Sequence, residues 1–392
     1  MIYLDNNATT AIDARVVAVI EQELRRGPAN ASSQHRLGQQ TRGRLDDAVD
    51  RIGRAIGSDL SRVDSPRLVL TSGGTEANNL AVTGMGPPGG AIVTSRIEHP
   101  SVLAAAEAAG RSGRSVRWID VDRDGITRLD HLAEQLDASD EPVSVVSVMS
   151  ANNETGVLQP IEQIARICRR RDVLFHVDAT QSIGKVPLDV SALEVDAISI
   201  TPHKFHGPTG IGFLWIRHGV ELRPLMFGGE QQLGTRPGTE SVPLVVGAAE
   251  AISIAVSERD EVAERLRALR DDFETQIRHR LAGGNGPAVT IHGADVPRLP
   301  NTSCLSFVGL DRQSLLIGLD MAGVACSSGS ACSSGSSPPS HVLIAMGAAE
   351  QEVRSALRFS LSKFSTEEEM TRAVELVCRQ IQKKMGCQPV EN

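Results

Sequence analysis

Aromatic side chains are scarce in this chain, making up 3% of its residues with two tryptophans and one tyrosine. A surface that stacks unpaired bases on rings has little to be built from. Positive charge is in deficit as well, with forty basic against forty-eight acidic residues and a net charge of −8. That balance repels nucleic acid and anionic lipid, so neither is expected as a partner. No apolar run reaches the roughly 18 residues of a membrane span. The opening MIYLDNNATT has neither the basic start nor the apolar stretch of a secretory signal, and a cytoplasmic protein is expected. Six cysteines in 392 residues read, without export, as reduced thiols and not as a disulfide framework. Lysine is rarer still: Lys185, Lys204, Lys363, Lys383 and Lys384 are the only five. Chemistry that needs a lysine amine has five candidates.

What is present is ordinary globular material, 41% hydrophobic, in a chain long enough for an enzyme of two or three domains. Short β-branched runs, RLVLT at 67–71, AIVTS at 91–95, VSVVSVM at 143–149, VLFHV at 173–177 and DAISI at 196–200, alternate with helical spacing at 100–110, 127–137 and 160–171. This pattern predicts an α/β domain around a mostly parallel sheet, with helices on both faces. A long charged helical stretch over 242–281 reads as a connector. The Gly-Gly-Asn-Gly-Pro run at 283–287 closes it, and CLSFVGL, a helix near 311–322, LRFSL and a helix over 366–384 follow as a smaller α+β domain. We place the large domain at 12–255 and the small one at 256–392 together with 1–11. Within the latter, residues 327–340, SSGSACSSGSSPPS, are too rich in serine, glycine and proline for a core and are expected to form a mobile loop.

Three segments at predicted strand ends carry chemistry. SGGTEAN at 72–78 follows a strand and opens a helix, where free N–H groups and the dipole bind phosphate, although an ordinary turn with a threonine cap has the same look. It has neither Walker A nor dinucleotide spacing. HVDATQS at 176–182 puts Asp178 at a cleft, either as a structural carboxylate or poised against a cationic ligand. TPHKFHG at 201–207 puts Lys204 where desolvation lowers its pKa and makes it a usable nucleophile for Schiff bases. The other four lysines read as solvated. A phosphate cradle, an aspartate and a lysine together suit pyridoxal 5′-phosphate, which needs an anion site, a carboxylate beside its ring nitrogen and an amine for its aldehyde. His99, in SRIEHPSV, could stack on the ring or simply start a helix. Cys332 lies in the serine-rich loop, either as a reactive thiol or by chance. The spacing of Cys326 and Cys332 fits neither Cys-x-x-Cys chemistry nor common zinc patterns, so no metal is expected.

Ten segments in one order, YLDNNATT, NASSQH, SGGTEANN, EHPSV, NNETGVLQPI, HVDATQSIGK, PHKFHGPTGIG, RPGTESV, SSGSACSSGS and LRFSLSKF, span nearly the whole chain. In them the sequence resembles the cysteine desulfurases of the class V aminotransferase group, within the pyridoxal-phosphate transferases of fold type I. Its SSGSAC motif resembles the branch with a mobile cysteine loop. The resemblance implies that Lys204 forms the internal aldimine, Asp178 pairs with the ring nitrogen, Gln181 bonds the ring hydroxyl and His99 stacks on the ring. It implies a phosphate site of Gly74, Thr75, Thr201 and His203, completed by Thr239 from a second copy, hence a homodimer. Asn153 and Arg358 match the positions that hold the substrate carboxylate, and Cys332 matches the thiol that takes sulfur from L-cysteine. A sulfur-acceptor protein, such as an iron–sulfur scaffold, is the implied partner.

The sequence departs from the family around the loop. Ser337, Pro338, Pro339 and Ser340 stand where Leu-Glu-Pro-Ser is usual, and Leu343, Ile344 and Ala345 where Leu-Arg-Ala is usual. Glu230, Pro237 and Thr201 are further departures, the last keeping its hydroxyl. The lost glutamate and arginine leave open how the loop is anchored. The expected activity is conversion of L-cysteine to L-alanine with a persulfide left on Cys332. A selenocysteine lyase or small aminotransferase would keep Lys204 and Asp178 but have no need of Cys332. A sulfur-relay protein that binds the cofactor without turnover would release no alanine.

Overall fold

The computed structural model describes residues 1–386 apart from 29, 63, 140, 283–285 and 330–337. Its strands in chain order are β1 (Ile2–Tyr3), β2 (Arg67–Thr71), β3 (Ala91–Ser95), β4 (Val116–Ile119), β5 (Val143–Met149), β6 (Phe175–Asp178), β7 (Ala197–Ile200), β8 (Gly212–Ile216), β9 (Val289–Ile291), β10 (Thr302–Phe307), β11 (Val324–Ala325) and β12 (Ala356–Ser360). β2 to β8 make one seven-stranded sheet in the order β2-β8-β7-β6-β5-β3-β4. Only β8 runs against its neighbours, so the sheet is mostly parallel, as its β-branched runs predict.

Alternation along a strand sends successive side chains to opposite faces. Leu68, Leu70, Val146, Val148, Ile198, Ile200, Phe213 and Trp215 enter one core, against the helices Ile161–Arg169 and Val242–Ser257. Their neighbours Val69, Val145, Ala197, Leu214 and Ile216 enter a second core, against the helices Gly74–Gly84 and Pro100–Arg111. Helix Ile161–Arg169 shows why it packs: Ile161, Ile164, Ala165 and Cys168 fall on one helical face and all are buried. Ile161 and Ile164 each contribute roughly 1.5–3 kcal/mol on burial.

The stretch 242–281, expected as one connecting helix, is two helices, Val242–Ser257 and Arg259–Leu281, meeting at Glu258. They serve different cores. The first is apolar and lies under the sheet, whereas Leu266, Leu269, Phe273 and Ile277 of the second join Phe307, Phe359, Val374 and Leu4. That further core packs against β12-β10-β9, which is antiparallel, while β1 pairs in parallel with β11. Among the described residues no helix is long and apolar enough to cross a membrane.

Between these cores runs the segment 5–13, and its far end is held by charge. Asp13 caps the helix Ala14–Arg25 by accepting from the Arg15 N–H, and its carboxylate also takes Arg15 Nη2 at 2.7 Å. Lys363, expected to be solvated, is largely enclosed here instead: its Nζ lies 2.5 Å from Asp13 Oδ2 and 3.0 Å from Glu258 Oε2. Two carboxylates distant in sequence supply the partners that make this burial possible. The Arg15 hydrogen bond, with that of Lys363, holds the Asp13 carboxyl well below the usual carboxylate range. A depressed folded-state pKa stabilises the fold above the unfolded value of about 3.9 and ceases to do so as pH falls through the folded value. Unfolding free energy is therefore expected to fall from about pH 5 downward. Lys363→Met should remove about 1–2 kcal/mol at pH 7 and flatten that acid slope. Urea titrations across this range decide it; an unchanged slope would remove the cluster from the account.

Candidate active site

The parallel strands deliver their carboxyl ends to one cleft of about 420 Å³. β6 ends in Asp178, and β7 is followed by Thr201 and a 3-10 turn, Pro202–Lys204. β2 leads through Ser72 into the helix Gly74–Gly84. Asn7 and Ala8 of the 5–13 segment close the side toward Arg358 on β12. Gly74, Thr75, His99, Asn153, Asp178, Gln181, Thr201, His203, Lys204 and Arg358, all singled out from sequence, line this one space.

Lys204 Nζ donates to the main-chain carbonyls of Asn7 at 2.6 Å and Ala8 at 2.7 Å. Burial, with Arg358 as a second cause, pushes its amine down to about 8. An appreciable fraction is then the neutral nucleophile near physiological pH. Asp178 is buried and accepts Asn78 Nδ2 at 2.7 Å on one oxygen and the Thr180 N–H at 2.9 Å on the other.

The SGGTEAN turn has no side-chain cap, because Gly73 occupies the cap position. Glu76 instead takes the Ser72 N–H at 2.6 Å and is itself held by Arg236 at 2.8 Å. Thr75 lies within the first helical turn and is not the cap. Close approach is built in: a Cβ at Gly212 would sit 2.4 Å from the Gly73 carbonyl carbon, so β8 can carry this turn only with glycine there. The helix thus presents its N-terminal N–H groups beside Thr201 and Thr180. His203, whose Nδ1 lies 3.2 Å from Thr9 Oγ1, is pushed down to about 4 by burial and by Lys204, so it is neutral.

His99 starts a helix and also faces the cleft. It caps the helix Pro100–Arg111, its Nδ1 accepting the Ser101 N–H at 3.1 Å, and its ring lines the cleft. With Nδ1 an acceptor, the neutral ring carries its proton on Nε2. Arg358 is buried, with Nη2 2.6 Å from Asp5 Oδ1 and Nη1 donating to the Asn153 carbonyl at 3.0 Å, while its Nε has no partner among the described residues. Asn153 thus meets Arg358 through its main chain.

Lys185, expected to be solvated, is instead enclosed, its Nζ donating to Gln181 Oε1 at 2.8 Å. A turn is no guide to exposure when a buried amide lies one helical step back. Thr239 is exposed and does not line the cleft of its own chain. Cys332 and most of the proposed loop 327–340 lie outside the described residues. The described ends of that segment meet at Glu154: Ser340 Oγ donates to its Oε2 at 2.5 Å, and a Cβ on Gly329 would stand 2.6 Å from the same atom. Gly329 has φ +96°, a conformation suited to glycine. Ser340, kept where its neighbours depart from the family, thus has an anchoring partner, and Ile344 is exposed.

Asn7, Asn78, Thr180 and Glu154 escaped the sequence reading. Their signal lay inside segments quoted for other residues, and Asn7 acts largely through its carbonyl, which any residue possesses. Glu98 was also missed. It is fully buried, accepts from Ser95 Oγ at 2.6 Å and is pushed up to about 8 by burial.

Asn78 Oδ1, Thr180 Oγ1, Glu154 Oε1 and Arg358 Nε are buried without partners among the described residues, and all four residues line the cleft. Unmet polar atoms gathered in one place mark a polar ligand site. A helix N-terminus for phosphate, a carboxylate for a cationic ring nitrogen and an amine of lowered pKa fit pyridoxal 5′-phosphate.

Fold and site together define a pyridoxal-phosphate-dependent transferase of fold type I, and residues 2–372 match the family model described as aminotransferase class-V. The chain is 36% identical to the cysteine desulfurase IscS of Dictyoglomus turgidum, over 99% of this chain and 96% of that protein. It superposes on a NifS-like protein from Rickettsia africae with a TM-score of 0.88 at 33% identity, covering 97% of this chain and 99% of that one. A solved SspA in complex with cysteine has a TM-score of 0.78 at 29% identity, covering 93% of this chain and all of that one. The chain belongs to the cysteine desulfurase family, whose members are pyridoxal-phosphate enzymes.

Proposed function

We propose that this enzyme removes sulfur from L-cysteine, releasing L-alanine and leaving a persulfide on Cys332 for a sulfur-acceptor protein. The observation that carries the proposal is the meeting of Lys204, Asp178 and a partly unpaired Arg358 in one cleft. The cysteine bound in the related SspA structure supports the choice of substrate. Bound here, pyridoxal phosphate would condense with the substrate amine and take up the electron pair released at Cα.

The chain's own groups do the rest. Asn153 and Arg358 orient the carboxylate, Gly74, Thr75, Thr201 and His203 hold phosphate, and Gln181 faces the ring hydroxyl. Lys204 Nζ accepts the Cα proton, and His99, with its proton on Nε2, shuttles protons across the ring. The Cys332 thiolate attacks the substrate sulfur: an S–S bond forms, the C–S bond breaks, its electron pair stays on carbon, and protonation there yields alanine.

We place this activity in a cytoplasmic homodimer in which Thr239 of the partner subunit completes the phosphate site. Phe227 and Leu233, 90% and 86% exposed, flank that region and offer apolar surface to a second copy. The distinct cores support two domains, 12–255 and 256–392 with 1–11. The acceptor is proposed as an iron–sulfur scaffold or a carrier of similar role. Incubating the enzyme with labelled L-cysteine and candidate acceptors tests the whole proposal: equimolar alanine and transferred sulfur support it, and no alanine overturns it. Arg358→Lys should lower kcat/KM for L-cysteine at least about tenfold, roughly 1.4 kcal/mol, because an ammonium cannot reproduce a planar two-pronged pair. Unchanged kinetics would move the carboxylate site elsewhere.

A further inference from the structure

Lys185 is the buried amine that the scheme above leaves without a task. Its Nζ donates to Gln181 Oε1 at 2.8 Å, Gln181 Nε2 donates to the Asn7 carbonyl at 3.0 Å, and that carbonyl also accepts Lys204 Nζ. Two lysines are thereby joined through one amide and one carbonyl. Lys185 does not line the cleft; it lines a smaller cavity behind it, shared with Lys204, His206, Lys363 and Glu258. Glu258 is already taken by Lys363 and Arg15, so Lys185 has no carboxylate of its own. Lys204 and Arg358 are the cations nearest in effect, and with burial they push its amine down to about 7.

An amide side chain has one accepting and one donating end, and only its partners decide which faces where. Because Lys185 donates to Gln181 Oε1 and the Asn7 carbonyl accepts from Nε2, the amide oxygen faces Lys185 and the NH₂ faces the segment that closes the cleft. We propose that Lys185 is a positioning residue for the cofactor: together with the Asn7 carbonyl it fixes the sense of the Gln181 amide, so that an N–H meets the ring hydroxyl oxygen. An N–H donated to this oxygen stabilises its ionised form and weakens its hold on the neighbouring proton of the lysine-linked chromophore. This contact makes the bound cofactor release its proton at lower pH than it otherwise would.

This inference rests on the reading that pyridoxal phosphate is carried on Lys204, and the test separates the two. The holoprotein without substrate is titrated with alkali while its visible absorbance is followed. In Lys185→Met, which loses the donor, the midpoint should rise by at least about half a unit, a threefold gain in proton affinity. Lys185→Gln, which keeps a donor, should show a smaller rise. A wild-type midpoint in either variant that retains the cofactor overturns the role of Lys185. Borohydride reduction of the unsubstituted protein that labels a residue other than Lys204 overturns the parent reading instead.

Discussion

Lys204→Ala is expected to lower alanine production from L-cysteine by at least about a thousandfold, since one side chain supplies both the covalent tether and the proton acceptor. Five lysines in the chain make this test sharp, and the structure makes it sharper. Lys185 and Lys204 approach the same Asn7 carbonyl, one through Gln181 and one directly. Only Lys204 lines the cleft, so only Lys204 can meet an aldehyde there. Reduction with borohydride and peptide mapping should find the pyridoxyl group on Lys204, while alanine release by the variant within tenfold of wild type would defeat the assignment.

A comparable loss is expected from Cys332→Ala, which should keep the cofactor and its spectral response to L-cysteine yet form no persulfide. The alternative thiol in the same segment is Cys326, directly after β11. Burial and the Asp5 carboxylate push it up to about 12. At pH 7.5 fewer than about one in ten thousand such thiols would be ionised, and the thiolate is the nucleophile. Cys168 and Cys378 are likewise pushed up, to about 12 and about 11, both by burial. Cys326→Ala should therefore retain most activity. Mass mapping after a single turnover discriminates: sulfur on Cys326, or undiminished turnover by Cys332→Ala, would refute the assignment. A selenocysteine lyase or aminotransferase would be indifferent to the loss of Cys332.

Strand positions were legible because β-branched runs in a two-sided sheet leave a local trace: RLVLT, AIVTS and VSVVSVM coincide with β2, β3 and β5. The break at Glu258 left none, since no glycine or proline marks it and helical propensity is continuous across it. Its cause is the parting of two cores. Lys185 and Lys363 were misread for a related reason. Each looks solvated among its sequence neighbours and is enclosed by partners that only the fold supplies: a glutamine lining the cleft, and two carboxylates at positions 13 and 258. The cleft residues were found where a side chain carries the chemistry, as with Lys204 and Asp178. Asn7 was missed because its backbone carbonyl does the work, and Asn78, Thr180 and Glu154 because only the fold brings their side chains to the cleft.

The segment 5–13 also bears on the order in which the molecule can be assembled. Asn7 receives Asn301 Nδ2 on its side-chain oxygen and donates its main-chain N–H to Ser360 Oγ, and Asp5 pairs with Arg358. At synthesis rates of about 5–20 residues per second, residues 358–360 emerge roughly 20 to 70 s after residues 5–7. The seven-stranded sheet can form in that interval, because its last strand ends at Ile216. The segment whose carbonyls position Lys204 lacks its contacts with Asn301, Arg358 and Ser360 until the later strands arrive, and closing a loop of that length costs about 5 kcal/mol in chain entropy. A nascent chain therefore reaches the ability to fold its sheet long before the ability to hold its cofactor in a working geometry.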